Sequence, residues 1–325
     1  MFLLSLVGEQ PIPVLIPLWQ QWTSPLFASG EVSSPFTSVQ FAGSKNTLSV
    51  IANLEAVLRR EPGLQHLDIR PALTIDPYDT HTAMQALGEA LDRAEKDGFQ
   101  SVMNISGGTK LMALAALQAA RRPVIAQSGV SQDVRLLYVN TEKNRIMFLN
   151  AAGDEIGSED IYVSLSIRQY LEAHGLEVSD NQAFNPNNVY ADKRPPRAGD
   201  ALEMRVMELS RDSGYFDEVR RNVFIRKAVP NSKPVSNELD VVAISNGRLV
   251  VCSCKAGINL KKEMVYELAA LSRRETAGIY CGKVLALGQE DIPPGICERA
   301  KADHIRLVRG SEIDRIALIM HLETR

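Results

Sequence analysis

The sequence has only four cysteines, and their placement argues against a secreted domain held together by disulfides. Cys252, Cys254, Cys281 and Cys297 all lie in the last quarter of the 325 residues, without the paired spacing of a metal site. Cys252 and Cys254 stand two residues apart on one predicted strand, which is too close to suggest a disulfide framework. A reducing cytoplasm is the compartment that fits this cysteine usage best.

The sequence also lacks an excess of positive charge. Its 36 lysines and arginines are outnumbered by 39 acidic residues, so the formal net charge is -3. No basic field over the whole surface attracts nucleic acid, and any polyanion must therefore be bound at a local site. Aromatic residues make up 6% of the chain and form no array for reading bases. Weak sequence preference is therefore expected of any nucleic-acid substrate.

A third absence is an apolar run long enough to cross a membrane. Residues 1–19 are mostly apolar, but they have no basic start, and the stretch GEQPIP at 8–13 interrupts them well short of a span. We predict a buried first strand here and no membrane partner.

The composition that remains is that of a folded protein with two domains. Hydrophobic residues make up 45% and charged residues 23% of the chain, which argues against disorder. We predict a first domain at 1–152, a polar, turn-rich linker with one short helix at 153–197, and a second domain at 198–325. His174, close to the end of that short helix, is interpreted as a capping or surface residue.

The N-terminal half alternates predicted strands with predicted helices, because apolar runs of strand length are separated by runs of helical periodicity. The predicted strands are Phe2–Val7, Ser38–Phe41, His66–Arg70, Ser101–Ile105 and Val134–Asn140, and the predicted helices are Asn46–Arg60, Thr82–Asp97 and Thr109–Arg121. This alternation predicts an α/β fold with a parallel, Rossmann-like sheet, in which ligands bind outside the carboxyl ends of the strands.

The turn after the fourth predicted strand has the composition of a phosphate-binding site. The strand SVMNI runs into Ser106, Gly107, Gly108 and Thr109, and a helix begins at Lys110. Glycines let backbone N–H groups approach a ligand, the start of a helix favours negative charge, and Lys110 adds a cation. The stretch is neither a Walker motif nor GxGxxG, which argues against nucleotide hydrolysis and dinucleotide binding. A glycine-eased turn with a solvated lysine is the alternative.

Two motifs in this half resemble those of the CARF (CRISPR-associated Rossmann fold) domain, in the branch fused to a restriction-endonuclease-like domain. They are LLSLVGEQPIPVLIPL at 3–18 and MNISGGTKLMALAAL at 103–117. The resemblance implies a homodimer that binds a cyclic oligoadenylate, the messenger of type III CRISPR complexes. Cyclic tetra-adenylate is favoured, although the ring size stays open. By position, the pocket residues would be Gly8, Gln10, Asn104, Ser106, Gly107, Gly108, Thr109 and Lys110. Ser44 and Lys45 fit either this pocket or a helix start.

The C-terminal part begins with an amphipathic helix that carries Glu203, followed by a predicted hairpin. The strands NELDVVAIS and GRLVVCSCKAG are joined by the turn Ser245-Asn246-Gly247. Since side chains alternate along a strand, Glu238 and Asp240 share one face, as do Ser253 and Lys255. Pairing across the hairpin can bring Asp240 beside Lys255.

This helix, strand, hairpin and helix order resembles the PD-(D/E)xK nuclease core, a restriction-endonuclease-like α/β domain. The resemblance implies a divalent metal, Mn²⁺ or Mg²⁺, because phosphodiester hydrolysis needs a cation held by hard oxygen ligands. Asp240 would be the central ligand, Glu203 the helix glutamate and Lys255 the group that stabilises developing charge. Ser253 departs from the family pattern, since most members have glutamate there.

A glutamate on the next helix can replace the missing strand acid. Glu263 and Glu267 lie one turn apart and share a face. Some restriction enzymes of this superfamily resemble this arrangement, with serine on the strand and a glutamate ligand on the following helix. Glu267 is favoured because it lies farther into the helix. The alternative is that both glutamates form a solvated face beside Lys261 and Lys262.

These expectations lead to three functional hypotheses. The first is a metal-dependent endonuclease of type III CRISPR antiviral defence, activated by cyclic oligoadenylate and cutting DNA, RNA or both. The second is a messenger-binding sensor whose nuclease domain has lost catalysis at Ser253. The third is a ring nuclease that degrades the messenger, which ranks last because no histidine or carboxylate pair stands in NISGGTK.

Overall fold

The structure is a computed structural model that describes residues 1–21, 35–121, 134–179, 198–227, 234–257 and 259–324. The chain divides into two compact units, Met1–Val163 and Ser164–Arg325. Within the described ranges, no helix is both long enough and apolar enough to span a membrane.

The N-terminal unit is built on a seven-stranded sheet. Its strands are β1 (Phe2–Val7), β2 (Ser38–Gly43), β3 (Asp68–Thr74), β4 (Ser101–Asn104), β5 (Arg135–Asn140), β6 (Arg145–Leu149) and β7 (Glu155–Asp160). They lie in the order β3-β2-β1-β4-β5-β6-β7. The pairs among β1 to β5 are parallel, while β6 and β7 add an antiparallel edge. The predicted parallel-rich, Rossmann-like sheet is confirmed.

The helices of this unit follow its parallel strands. They are α1 (Ile12–Trp19), α2 (Leu48–Arg60), α3 (Thr80–Lys96) and α4 (Lys110–Ala120), with short 3-10 turns at Lys45–Thr47 and Pro62–Leu64. The apolar stripes of α3 and α4 pack against Leu4, Leu6 and Met103 in one core. The chain moves outward from β1 to β3 and then returns to start β4 beside β1. The sheet therefore has a topological switch point between β1 and β4, which is where ligands of such sheets bind.

The opening stretch is a strand followed by a helix, which corrects the prediction of a strand alone. Helix α1 is buried on nearly all sides, with Val14, Leu15, Ile16 and Leu18 at most 2% exposed, so no polar face marks its helical period. Pro13 lies in the first turn, where backbone N–H groups make no hydrogen bond within the helix, so its missing N–H costs no helical hydrogen bond.

The C-terminal unit contains a six-stranded mixed sheet. Its strands are β8 (Leu176–Ser179), β9 (Glu218–Lys227), β10 (Val235–Ser245), β11 (Arg248–Lys255), β12 (Gly282–Leu287) and β13 (Arg306–Val308), in the order β13-β12-β11-β10-β9-β8. Its helices are α5 (Ile167–Ala173), α6 (Ala198–Asp212), α7 (Lys262–Leu271), α8 (Arg274–Ala277), α9 (Pro294–Ala302) and α10 (Ile316–Leu322), with a 3-10 turn at Gly310–Arg315. Residues of α6 and α10 pack against β10, β11 and β12 to form the core.

The hairpin between β10 and β11 follows its turn chemistry. Asn246 and Gly247 have φ of 49° and 71°, the left-handed conformation that a two-residue hairpin turn of the Asn-Gly type requires. Val241 pairs with Cys252, and the antiparallel register runs back to Ser245 and Arg248. This register fixes which residues face each other at the open end of the hairpin.

The polar segment predicted as a linker contains regular elements in its described part. β7 pairs with β6 in the first sheet, whereas α5 and β8 belong to the C-terminal unit, where β8 pairs with β9. Both strands are sheet edges. β7 carries exposed polar side chains and lacks the apolar pattern that identifies a strand, whereas β8 alternates buried and exposed side chains but is only four residues long. Residues 180–197 lie outside the described residues.

Candidate functional site

The carboxylate of Asp240 is fixed at the open end of the hairpin. The register places Asp240 opposite Ser253. Asp240 Oδ2 accepts hydrogen bonds from Ser253 Oγ at 3.0 Å and from the backbone N–H of Cys254 at 2.8 Å. The side chain therefore satisfies a backbone donor of β11, and two bonds set its orientation. Ser253 is one of the two hydrogen-bond donors that orient the carboxylate of Asp240.

Lys255 stands between two carboxylates. Its Nζ lies 3.7 Å from Asp240 Oδ2 and 3.7 Å from Glu267 Oε2. The Asp240 and Lys255 side chains are largely buried, whereas Glu267 is 60% exposed on α7. Among the described residues, Glu263 makes no ion pair. The structure therefore brings together Asp240, Ser253, Lys255 and Glu267.

Glu203 approaches the same group from α6. Its Oε2 lies 3.8 Å from Arg221 Nη1 on β9. Burial, and after it the charge of Asp240, raises the pKa of Glu203 to about 7, although Arg221 opposes the shift. The pKa of Glu238 is also raised, first by burial and then by the charge of Asp240. Carboxylates from α6 and β10 thus crowd one another.

The prediction overlooked Glu238, Asp200 and Arg221 as members of this group. Asp200 contributes to the raised pKa of Glu203 and of Glu238, and its backbone carbonyl accepts a hydrogen bond from Arg221 Nη1 at 3.4 Å. The signal for Glu238 was its shared face with Asp240 two residues away. Arg221 could be placed only once the pairing of β9 with β10 is known, because Val241 pairs with Arg221.

Asn222 has an unusual backbone at this site. It lies between Arg221 and Val223, which pair with Val241 and Leu239, so it stands opposite Asp240. Its φ is 54°, in the left-handed region, and its Oδ1 is buried without a hydrogen-bond partner in the described part of the chain. Left-handed non-glycine residues in strands are uncommon and concentrate at functional sites.

The chemistry of this group fits a divalent cation. Its donors are carboxylate oxygens, the hard ligands that Mg²⁺ and Mn²⁺ prefer, and a cation would oppose both burial and the charge of Asp240, the two main causes of the raised pKa of Glu203. At Cys254, the hydrogen bond with Cys252 and burial raise the pKa of the thiol, which favours its neutral form. Over the described ranges, no three Asp, Glu, His or Cys side chains already form a metal-ligand cluster.

The predicted ligand turn lies at the topological switch point of the N-terminal unit. The end of β1 and the turn after β4 touch so closely that a Cβ on Gly8 would come 2.8 Å from Gly108 N, and one on Gly107 would overlap the carbonyl oxygen of Leu6. Gly108 has a φ of 78°. Glycine is therefore required at these positions by close backbone approach and by conformation.

Three of the predicted pocket residues build the turn. Asn104 Oδ1 accepts from Ser106 N at 3.0 Å and from Ser106 Oγ at 2.5 Å, and Asn104 Nδ2 donates to the carbonyl of Pro13 at 3.0 Å. Thr109 caps α4 by accepting from Met112 N at 3.2 Å, and its Oγ1 donates to the carbonyl of Pro77 at 3.0 Å.

The other side chains at this edge face outward. Lys110 is exposed at the first turn of α4, and Gln10 is partly exposed after β1. Lys45 opens a 3-10 turn with Ser44 before it, which agrees with the helix-start interpretation of that pair. The exposed cation and the backbone of the glycine turn are thus the groups placed to meet a phosphate.

His174 is the C-cap residue of α5, which confirms the capping alternative of the prediction, and its side chain is half-buried. Its Nδ1 lies 2.9 Å from the carbonyl oxygen of Tyr170, its ring stacks on Tyr170 at 4.8 Å, and its Nε2 is buried without a partner in the described part. Burial lowers the pKa of His174 to about 4. It remains a residue near the end of a helix, away from the carboxylate group.

A family model matches the part of the chain that contains the cluster of residues around Asp240. Residues 192–324 match the family described as Card1-like, endonuclease domain. The matched range includes Glu203, Asp240, Ser253, Lys255 and Glu267. No curated protein sequence is significantly similar to the chain.

Solved structures share the fold over nearly the whole chain. Protein VC1899 from Vibrio cholerae is 13% identical with a TM-score of 0.75, covering 99% of this chain and 97% of its own. Can2 from Sulfobacillus thermosulfidooxidans, solved in complex with cyclic tetra-adenylate, is 18% identical with a TM-score of 0.73, covering 98% and 99%.

A type III CRISPR defence DNA nuclease activated by cyclic oligoadenylate is a third similar structure. It is 18% identical with a TM-score of 0.61 over 90% of this chain, which spans 46% of that longer protein. These similarities confirm the two-part α/β fold, and the family match over residues 192–324 agrees with the predicted nuclease resemblance of the C-terminal part. The PD-(D/E)xK label stays a prediction.

Proposed function

We propose that this protein is a metal-dependent endonuclease of type III CRISPR defence that a cyclic oligoadenylate activates. The proposal of catalysis rests on the position of Lys255, whose Nζ lies 3.7 Å from Asp240 Oδ2 and 3.7 Å from Glu267 Oε2. Two hydrogen bonds hold the carboxylate of Asp240 in its orientation. A lysine flanked by oriented carboxylates is suited to phosphodiester hydrolysis. The similarity to Can2 with cyclic tetra-adenylate supports the activator.

Asp240, Glu203 and Glu267 would hold the cation, and the bound cation would supply positive charge that activates water and offsets charge on the phosphate. Ser253 Oγ and Cys254 N keep Asp240 Oδ2 in place. Lys255 stabilises the negative charge that develops on the phosphoryl oxygens as water attacks phosphorus and the P–O bond to the leaving oxygen breaks.

In the N-terminal unit, the messenger would lie over the glycine turn at the carboxyl edge of β1 and β4. The backbone around Gly8, Gly107 and Gly108 approaches its phosphates, and Lys110 contributes a cation at the start of α4. A cyclic, symmetric ligand matches two copies of this turn, so a homodimer is the expected assembly. An effector of this class would act in the cytoplasm.

The test combines substrate, activator and metal. Supercoiled DNA, single-stranded DNA and RNA are incubated in Mn²⁺ with cyclic tetra-adenylate, cyclic hexa-adenylate or neither. We expect cleavage that requires both activator and Mn²⁺ and that Asp240→Asn abolishes. Activator that binds without any cleavage would instead identify a sensor without catalysis, and activator that is consumed by the Asp240→Asn variant would identify a ring nuclease.

A further inference from the structure

A second site lies in the C-terminal unit, apart from the group around Asp240. A cleft of about 480 Å³ opens between α7, the segment before β12, and α9. Four cationic side chains line it, and Asp303 is the single acidic residue of the lining. The cations are Arg273, Arg274, Lys283 and Arg299. In a chain whose net charge is -3, this is a local concentration of positive charge.

The cations of this cleft are only partly neutralised by the protein. Arg299 is bidentate to Asp303, with Nε 2.8 Å from Oδ2, and Lys283 Nζ donates to the carbonyl of Asp303 at 2.9 Å. Arg273 is exposed and makes no ion pair with any described carboxylate. Arg274 Nε lies 3.9 Å from Glu275 Oε1. Asp303 thus orders two of the cations from one side, and the charges of Asp303 and Glu275 together leave the four cations with an excess of positive charge.

An aromatic ring stands at the cleft. The guanidinium of Arg299 lies over the ring of Tyr266 at 4.7 Å, and the tyrosine is still 45% exposed. Ala269 and Ala270 follow Tyr266 on α7, so small side chains leave the space beside the ring open. Cations that track a backbone together with an exposed ring are the combination by which proteins hold single-stranded nucleic acid.

Helix α7 connects this cleft to the carboxylate group. Tyr266 and Ala270 lie one turn apart on the face toward the cleft, and Glu263 and Glu267 lie one turn apart on the neighbouring face. Glu267 is the residue that meets Lys255. A strand crossing α7 can therefore present one phosphate to Lys255 and lay the following nucleotides in the cleft.

We propose that this cleft binds single-stranded nucleic acid, stacking a base on Tyr266 and holding its phosphates with Arg273, Arg274 and Arg299. The inference rests on the proposed nuclease function and names its substrate form. A cleft of 480 Å³ has the size of a site for one small ligand, which suits one or two unpaired nucleotides and not a duplex.

The test measures binding separately from cleavage. The Asp240→Asn full-length chain, with cyclic tetra-adenylate present, is titrated against a fluorescent single-stranded oligonucleotide and the matching duplex over a range of salt. We expect tighter binding of the single strand. Adding Arg273→Ala and Arg274→Ala should weaken it about tenfold or more and lower the salt slope by ~0.7 for each phosphate that the variant no longer neutralises. The control for each single arginine variant is Lys301→Ala, which removes one charge from an exposed position of α9 outside the cleft.

Photocrosslinking with 5-iodouracil locates the bound base. We expect crosslinking to Tyr266 in the Asp240→Asn chain and its loss in Tyr266→Leu, which keeps an apolar side chain on α7. Unchanged single-strand binding in the double arginine variant, a preference for duplex, or no crosslink at Tyr266 would each overturn the cleft proposal, even if the parent chain cleaves normally. A parent chain that binds strands at Tyr266 and never cleaves would overturn the nuclease function alone.

Discussion

Ser253 Oγ donates a hydrogen bond of 3.0 Å to Asp240 Oδ2, so the residue that replaces an expected acid orients the acid that remains. The same oxygen also accepts from Cys254 N at 2.8 Å. The serine is therefore a positioning residue, and Asp240 keeps one of its two bonds without it.

The first prediction follows from these two bonds. Ser253→Ala should lower the rate of activator-dependent nicking by about tenfold at most, because a hydrogen bond to a charged group contributes about 1.5 kcal/mol at the lower end of its range, which is about tenfold, and the backbone donor persists. Asp240→Asn should abolish nicking. Initial rates of supercoil loss measure both variants, and Ser253→Ala as inactive as Asp240→Asn would mean that the hydroxyl acts directly in catalysis.

The second prediction separates the two glutamates of α7. Glu267→Gln should abolish cleavage, whereas Glu263→Gln should leave it within about twofold, since only Glu267 lies 3.7 Å from Lys255 Nζ. The pair is a matched comparison, because both changes remove one carboxylate from the same helix. Messenger binding should be equal in the two variants.

A rescue experiment sharpens this comparison. In the Glu267→Gln background, Ser253→Glu should restore part of the cleavage activity by returning an acid to β11. In the parent chain, Ser253→Glu should at best leave the cleavage activity unchanged. Full cleavage activity of the Glu267→Gln variant would show that Glu267 has no role in catalysis.

The third prediction concerns the messenger. Lys110→Ala should weaken cyclic tetra-adenylate binding about tenfold to a hundredfold, the loss expected for one charge-assisted contact of roughly 1.5–3 kcal/mol. Lys96→Ala is the control, because Lys96 is also exposed but ends α3 at the opposite edge of the sheet. Calorimetric titration gives both affinities, and equal values would place the pocket elsewhere.

The fourth prediction is a pH dependence of stability. The pKa of His174 is lowered to about 4 by burial, below its ordinary value of 6.5. Between these values the unfolded chain binds more protons than the folded chain, so the free energy of unfolding should fall as the pH falls from 6.5 to 4. One proton can contribute a slope of at most about 1.4 kcal/mol per pH unit.

His174→Phe is the variant that isolates this slope. Phenylalanine keeps a ring beside Tyr170 but cannot be protonated. Scanning calorimetry from pH 4 to pH 7 should show the stability difference between parent and variant changing through this window. A difference that does not vary with pH would show that another group takes the proton.

The sequence predicted most of the regular structure, because strands such as Phe2–Val7 and helices such as Lys110–Ala120 combine clear apolar patterns with glycine or capping residues at their ends. Prediction from the sequence failed for elements whose residues are nearly all buried or nearly all exposed. Helix α1 is apolar all round, and the edge strand β7 is polar, so neither shows a period.

The candidate site shows the same division. Asp240 and Lys255 could be paired in advance, because the Asn-Gly turn sets the hairpin register. Arg221 and the left-handed Asn222 could not, since their place depends on how β9 pairs with β10. Cross-strand neighbours that are distant in sequence leave no local pattern.

The close approach of Gly8, Gly107 and Gly108 has a mechanical consequence. Backbones packed too closely to admit a methyl group cannot slide past one another without breaking the sheet. A phosphate that pulls on the glycine turn therefore pulls on β1 and β4 together. Under the proposed function, binding of the messenger would therefore displace whole strands, and the exposed side chain of Lys110 would adjust to the shape of the ligand.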